Sequence, residues 1–150
     1  MSENTWRLID RSNPMLRHKV SGLIPRDREK FVYRLIMYST PSAVGDSTVR
    51  SALESISACG SVSADPARSQ ELFGASKLLD DEYFTSKEEG EYEAVWERKF
   101  QESRLAFALH LIFSGTGPEN LPEIIYELAH ASGRPESFLS WAESLLEGDK

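Results

Sequence analysis

From Tyr92 to Phe113 the chain repeats its large side chains at a spacing that suits an α-helix. Tyr92, Trp96, Phe100, Ser103, Phe107 and Leu111 fall three or four residues apart and would line one stripe of such a helix. Glu91, Glu93, Glu97, Arg98 and Glu102 fall off that stripe, toward water. From Leu105 to Phe113 the residues are apolar on every side apart from His110, the pattern of a helix enclosed by its neighbours. Thr85-Ser86-Lys87-Glu88 reads as an S/T-x-x-E capping box ahead of it, with Gly90 able to delay the start. A central helix over about residues 90–113 is therefore expected, and the other elements must pack around it.

Those elements also read as helices. Pro25 suits a first helical turn, where its missing N–H would be unpaired in any case, and Phe31, Val32, Leu35 and Ile36 then share one face. Asp46 or Ser47 can cap a helix carrying Val49, Leu53 and Ile56, stopped near Gly60. Asp65-Pro66 is a further start signal, followed by Leu72, Phe73, Leu78 and Leu79 and weakened by Gly74. After Ser114-Gly115, Pro118 or Pro122 opens a helix with Ile124, Ile125, Leu128 and Ala131 inward and Gly133 as its stop. Arg134-Pro135-Glu136 starts the last one, with Phe138, Leu139, Ala142, Leu145 and Leu146 on its face. No stretch sustains the strict alternation of a half-buried strand. The expected fold is all-α: a compact bundle of five or six helices forming a single domain over residues 26–150. Residues 1–25 hold Asn13-Pro14, Ser21-Gly22 and Pro25 and no sustained period, so they read as an irregular arm that packs Trp6, Leu8 and Ile9 in some specific place.

Length supports one domain: 150 residues bury a proper core, and 40 % hydrophobic with 27 % charged content is ordinary for a globular chain. The N-terminal residues lack an apolar signal region, and the longest apolar run falls far short of the roughly 20 residues that span a bilayer. Cys59, the single cysteine, can form neither an internal disulfide nor a zinc site of its own and reads as a small buried or half-buried apolar residue. Cytoplasmic residence, with no membrane association, is the expectation.

Charge divides unevenly. Residues 1–34 hold eight basic and four acidic side chains, net +4, while the remaining 116 hold nine and twenty, net −11. Such polarity bears on partners and encounter rates rather than on fold. Residues 80–102 are the acidic extreme, with nine acids and three bases. Asp80, Asp81, Glu82, Glu88, Glu89 and Glu91, with Tyr83 and Phe84 as aromatic anchors, read as a docking face for a basic protein. That reading makes the chain a non-enzymatic regulatory or interaction protein of adaptor, inhibitor or immunity type, with no cofactor. Apolar area left over from the helix set would also serve a homodimer.

Two other classes compete. Glu127 and His130 are one Glu-x-x-His pair on a single helix face, and with His110 they suggest a metal site. Di-iron bundles, however, need two such pairs. Arg17, Lys19, Arg26, Arg28, Lys30 and Arg34 form a basic patch interleaved with aromatics, as in nucleic-acid binding, against an overall charge of −7 and an isoelectric point near 5.0. Alternatively, Arg26, Arg28, Lys30 and Arg34 lie against the acidic segment. Gly115-Thr116-Gly117-Pro118 follows no strand and carries no Lys, so it reads as a helix–helix turn and not a phosphate loop. Neither G-x-S-x-G nor any other catalytic motif occurs.

Overall fold

The computed structural model describes residues 2–40 and 44–147. They form an all-helical bundle: α1 (Ser2–Asp10), α2 (Leu16–Ser21), α3 (Pro25–Ser39), α4 (Ser47–Cys59), α5 (Pro66–Glu88), α6 (Glu93–Ser114), α7 (Leu121–Ala131) and α8 (Pro135–Glu147). There is no strand among the described residues, and none of their helices is long and apolar enough to cross a membrane.

Local chemistry sets most of the helix starts. Pro25 opens α3 after an extended Ile24, and Phe31, Val32, Leu35 and Ile36 are all buried. Asp46 caps α4 by accepting the Val49 N–H at 3.0 Å, and Asp65 caps α5 by accepting the Arg68 N–H at 3.2 Å. Gly60 adopts φ +71° at the end of α4, the left-handed conformation glycine takes without steric cost. The Asp65 N–H also reaches the Phe113 carbonyl at 2.9 Å, tying the start of α5 to the end of α6. Asp65→Ala removes the cap and should lower stability by about 1 kcal/mol, read as a fall in the urea midpoint at unchanged slope.

Three expectations are corrected. First, the N-terminal segment is not irregular. Asn13-Pro14 and Ser21-Gly22 punctuate two short helices, and Trp6, Ile9, Leu16 and Val20 join the same core as the rest of the chain. Leu8, in contrast, is exposed. These helices raise the number among the described residues to eight.

Second, Thr85–Glu88 caps nothing. The Glu89 N–H bonds the Thr85 carbonyl at 2.9 Å, so α5 runs straight through the box, and it ends only before Gly90, at φ +74°. Gly74 is exposed and does not break it.

Third, α5 does not use the expected apolar face. Leu72 and Leu79 are buried together with Ser69, Ser76 and Ser86, while Phe73 and Leu78 are exposed. Small side chains at that seam let α5 lie along α6, and the serines find partners across it. The Ser69 hydroxyl donates to the His110 carbonyl at 2.9 Å, and Lys99 donates to Ser86 Oγ at 2.7 Å. The aromatic stripe of α6 is accordingly half-buried at Trp96, Phe100 and Phe107, and Tyr92 is open to solvent.

The hairpin of α5 and α6 also packs on α4. Through α6 it meets α7, which in turn touches α1, α3 and α8. Helix α7 is thus surrounded, with Leu121, Ile124, Ile125, Leu128 and Ala129 buried.

Candidate functional site

At its far end the α5–α6 hairpin extends beyond the core: of residues 81–98 only Ser86 is buried. Aromatic contact holds this tip together. The Tyr83 ring lies 5.9 Å from Trp96 and 5.3 Å from Phe100, and Lys87 Nζ stands 5.0 Å from the Trp96 ring centre, within cation–π range. Lys99 reaches Glu91 at 3.9 Å. Residues 81–98 carry seven acids (Asp81, Glu82, Glu88, Glu89, Glu91, Glu93, Glu97) against Lys87 and Arg98, net −5, and all seven are exposed. Among them stand the apolar side chains of Phe84 (57 % exposed), Tyr92 (86 %) and Val95 (40 %).

Most of the acidic face drawn from the sequence is thereby assembled, with two exceptions. Tyr83 is half-buried inside the hairpin, leaving Phe84 and Tyr92 as the accessible rings. Asp80 turns inward. Its carboxylate accepts two hydrogen bonds from Arg104 Nη2, both 3.1 Å, and one from the Ser103 hydroxyl. Arg104 Nη1 donates in turn to Glu127 on α7, at 3.2 and 3.4 Å, and the guanidinium sits 5.8 Å from the Phe100 ring centre and 5.7 Å from that of Phe107. One arginine therefore ties three helices together. Burial pushes the Glu127 carboxyl above the ordinary glutamate range, with the Arg104 charge and hydrogen bond opposing it. Burial also holds His130 below the usual histidine range, helped by the charge of Arg104. Sequence reasoning did not single out Arg104. Its signal was a lone cation at the edge of an apolar run, which must find anions when the helix is covered. Glu102, likewise buried, accepts the Gly45 N–H at 2.7 Å.

The metal alternative finds no ligand set. His110 faces the other way, toward α5: its Nδ1 lies 2.9 Å from the Ser69 carbonyl and 2.8 Å from the Ser69 hydroxyl, and its ring packs on Phe73 and Phe107. A nitrogen facing a carbonyl must carry the proton. Glu127 is committed to Arg104, and His130 packs edge-on against Tyr126 at 4.5 Å. Among the described residues no three His, Cys, Asp or Glu side chains come together as a metal site. Cys59, expected to be at least half-buried, is exposed.

The basic patch divides between two faces. Arg17 pairs with Glu3 at 2.9 Å, which raises the arginine and lowers the glutamate from their ordinary pKa values, and it covers the Trp6 ring. Arg28 shares that cleft with Trp6 and Glu119. On the other face, Arg26, Lys30 and Arg34 repeat every four residues along the exposed side of α3. There Lys30, Arg34 and Lys19 border a groove of about 490 Å³ floored by Leu23, Phe31, Leu145 and Leu146. Lys19 donates to Glu147 at 2.6 Å and lies 3.6 Å from Glu143, contacts that raise its pKa. Helix α3 packs on α7, and none of the described ion pairs joins it to residues 80–102. No family model, curated protein or solved structure matches the chain.

Proposed function

We propose that this protein is a non-enzymatic interaction protein that docks a basic partner through the exposed tip of the α5–α6 hairpin. The observation that carries the reading is the coexistence of Phe84, Tyr92 and Val95, all exposed, with seven exposed acids on one protruding element. A field of one sign steers an oppositely charged partner into encounter, and aromatic side chains supply the area whose burial holds it. Each has little use for the other in a merely solvated surface. Tyr83 and Trp96 pack together within the tip and Lys87 stands over both rings, so the exposed side chains are presented on a braced element and less ordering entropy is lost on binding. A cytoplasmic setting fits a chain whose single cysteine lies exposed.

Peptide display against the intact protein tests this. The selection should enrich sequences with Lys or Arg flanking an apolar residue, held more weakly as salt rises. Exposed charge pairs contribute about 0.2–1 kcal/mol each. Reversing three acids exchanges attraction for repulsion, so Glu88→Lys with Glu89→Lys and Glu91→Lys should weaken those peptides about tenfold, some 1.4 kcal/mol. Enriched peptides that bind the reversed protein equally well would place the docking surface elsewhere.

A further inference from the structure

The groove between α2, α3 and α8 has the complementary character: a cationic edge over an apolar floor. Arg26 and Lys30 on α3 make no ion pair among the described residues. Lys19, on the opposite side, is held by Glu143 and Glu147. Leu23, Phe31, Leu145 and Leu146 form the floor, and the volume of about 490 Å³ falls within the range of roughly 300–1,000 Å³ that holds compact ligands, ample for an aromatic side chain. Asp27 is the one acid bordering it among the described residues. Across residues 17–34 there are six basic and two acidic side chains, net +4. One chain thus carries an acidic tip with protruding rings and a basic groove with an apolar floor, and no described ion pair joins the two within the molecule.

We infer that this groove receives the hairpin tip of a second copy of the chain, with Phe84 or Tyr92 over the apolar floor and the tip's acids against Arg26, Lys30 and Arg34. The inference rests on the tip being the docking element proposed above, and it names the basic partner as the protein itself. Overall charge does not forbid it. Of the −7 on the chain, −5 lies in residues 81–98, leaving −2 on the rest, so the charge that would drive two copies apart sits chiefly on the element that becomes neutralised. Tip and groove are different surfaces, so the contact is heterologous. It closes if two copies exchange tips and grows head-to-tail if they do not.

Sedimentation velocity on the full chain tests it at about 0.01 M salt, where charges act over about 30 Å, and at about 1 M, where the range is about 3 Å. The wild type should gain mass with concentration at low salt and become monomeric at high salt. Two variants, E88K/E89K/E91K and R26E/K30E/R34E, should each associate at least tenfold more weakly. Mixed in equal amounts they should form a complex of one copy of each, because each retains the surface the other lost. That complex would also show that both variants are folded.

A wild type that stays monomeric at low salt overturns self-docking. If the displayed Lys/Arg-rich peptides still depend on the tip, the tip reading survives alone. Association abolished by the acid reversals but untouched by R26E/K30E/R34E removes the groove from the inference and keeps the tip. Association indifferent to both sets of reversals removes both. A short DNA duplex is the remaining probe: if it binds through Arg26, Lys30 and Arg34 while the wild type remains monomeric, the stripe is a nucleic-acid surface and self-docking fails.

Discussion

A chain lacking residues 1–21 is expected not to fold cooperatively. The deletion removes α1 and α2, and with them Trp6, Ile9, Leu16 and Val20, whose relative exposures are 7, 0, 0 and 3 %. Burying a large apolar side chain contributes about 1.5–3 kcal/mol, so four contribute about 6–12 kcal/mol as an upper bound. The whole stability of a domain is only about 5–15 kcal/mol. The loss also exposes what these helices cover, since α1 packs on α7 and α2 on α8. Polar ties go with them: Thr5 to Glu123, Asn13 to Glu143 at 2.9 Å, and Lys19 to Glu147. Urea titration followed by circular dichroism should show a broad, sloping loss of helix in place of one transition. Leu8→Ala, at an exposed position of the same helix, should shift the midpoint by no more than about 0.5 kcal/mol. A truncated chain that unfolds like the full one would make the segment an appendage.

That same segment marks where sequence reasoning stops. The starts of α3, α4, α5 and α8 were legible because Pro25, Asp46, Asp65-Pro66 and Pro135 act on their own first turns, whatever packs above them. Helix α2 has six residues and only Leu16 and Val20 to bury, too short to show a period or to persist without its neighbours. Its existence is a tertiary fact. The seam of Ser69, Ser76 and Ser86 was hidden for another reason: serine counts as polar in any periodicity, yet here it is buried as the small residue that fits against α6, with the Ser69 and Ser86 hydroxyls bonded across the seam. Charge pattern marked out acids that, apart from Asp80, are exposed at the end of the α5–α6 hairpin. It could not show that Asp80 turns from the acidic face to bond Arg104, because that depends on Arg104 approaching from α6. Nor could it show that Lys87 serves the tip's own rings.

Replacing Arg104 by Met is expected to cost about 3 kcal/mol, because it leaves a buried carboxylate without its partner. The side chain of Glu127 is only 11 % exposed and cannot turn to water, whereas Asp80 at 35 % retains some access. The pH dependence separates this cause from simple loss of packing. Burial already holds the folded-state pKa of Glu127 above its ordinary value of 4.5, against the lowering effect of Arg104. Native protein therefore keeps that proton more tightly than unfolded chain does, and this group's contribution to stability falls as pH rises from about 4.5 through its folded pKa. Removing Arg104 takes away the lowering influence, so the folded pKa climbs and the window of falling stability widens upward. The deficit of Arg104→Met relative to wild type should consequently be smallest below pH 4.5, where the proton is bound increasingly in folded and unfolded chain alike, and should grow toward neutrality. Adding Glu127→Gln removes the charge altogether, so the double variant should regain most of the loss and show a flatter pH profile, in urea midpoints measured across that range. A deficit below about 1 kcal/mol that ignores pH would instead rank the cluster with surface ion pairs. The join between α5, α6 and α7 would then rest on its apolar and serine contacts alone.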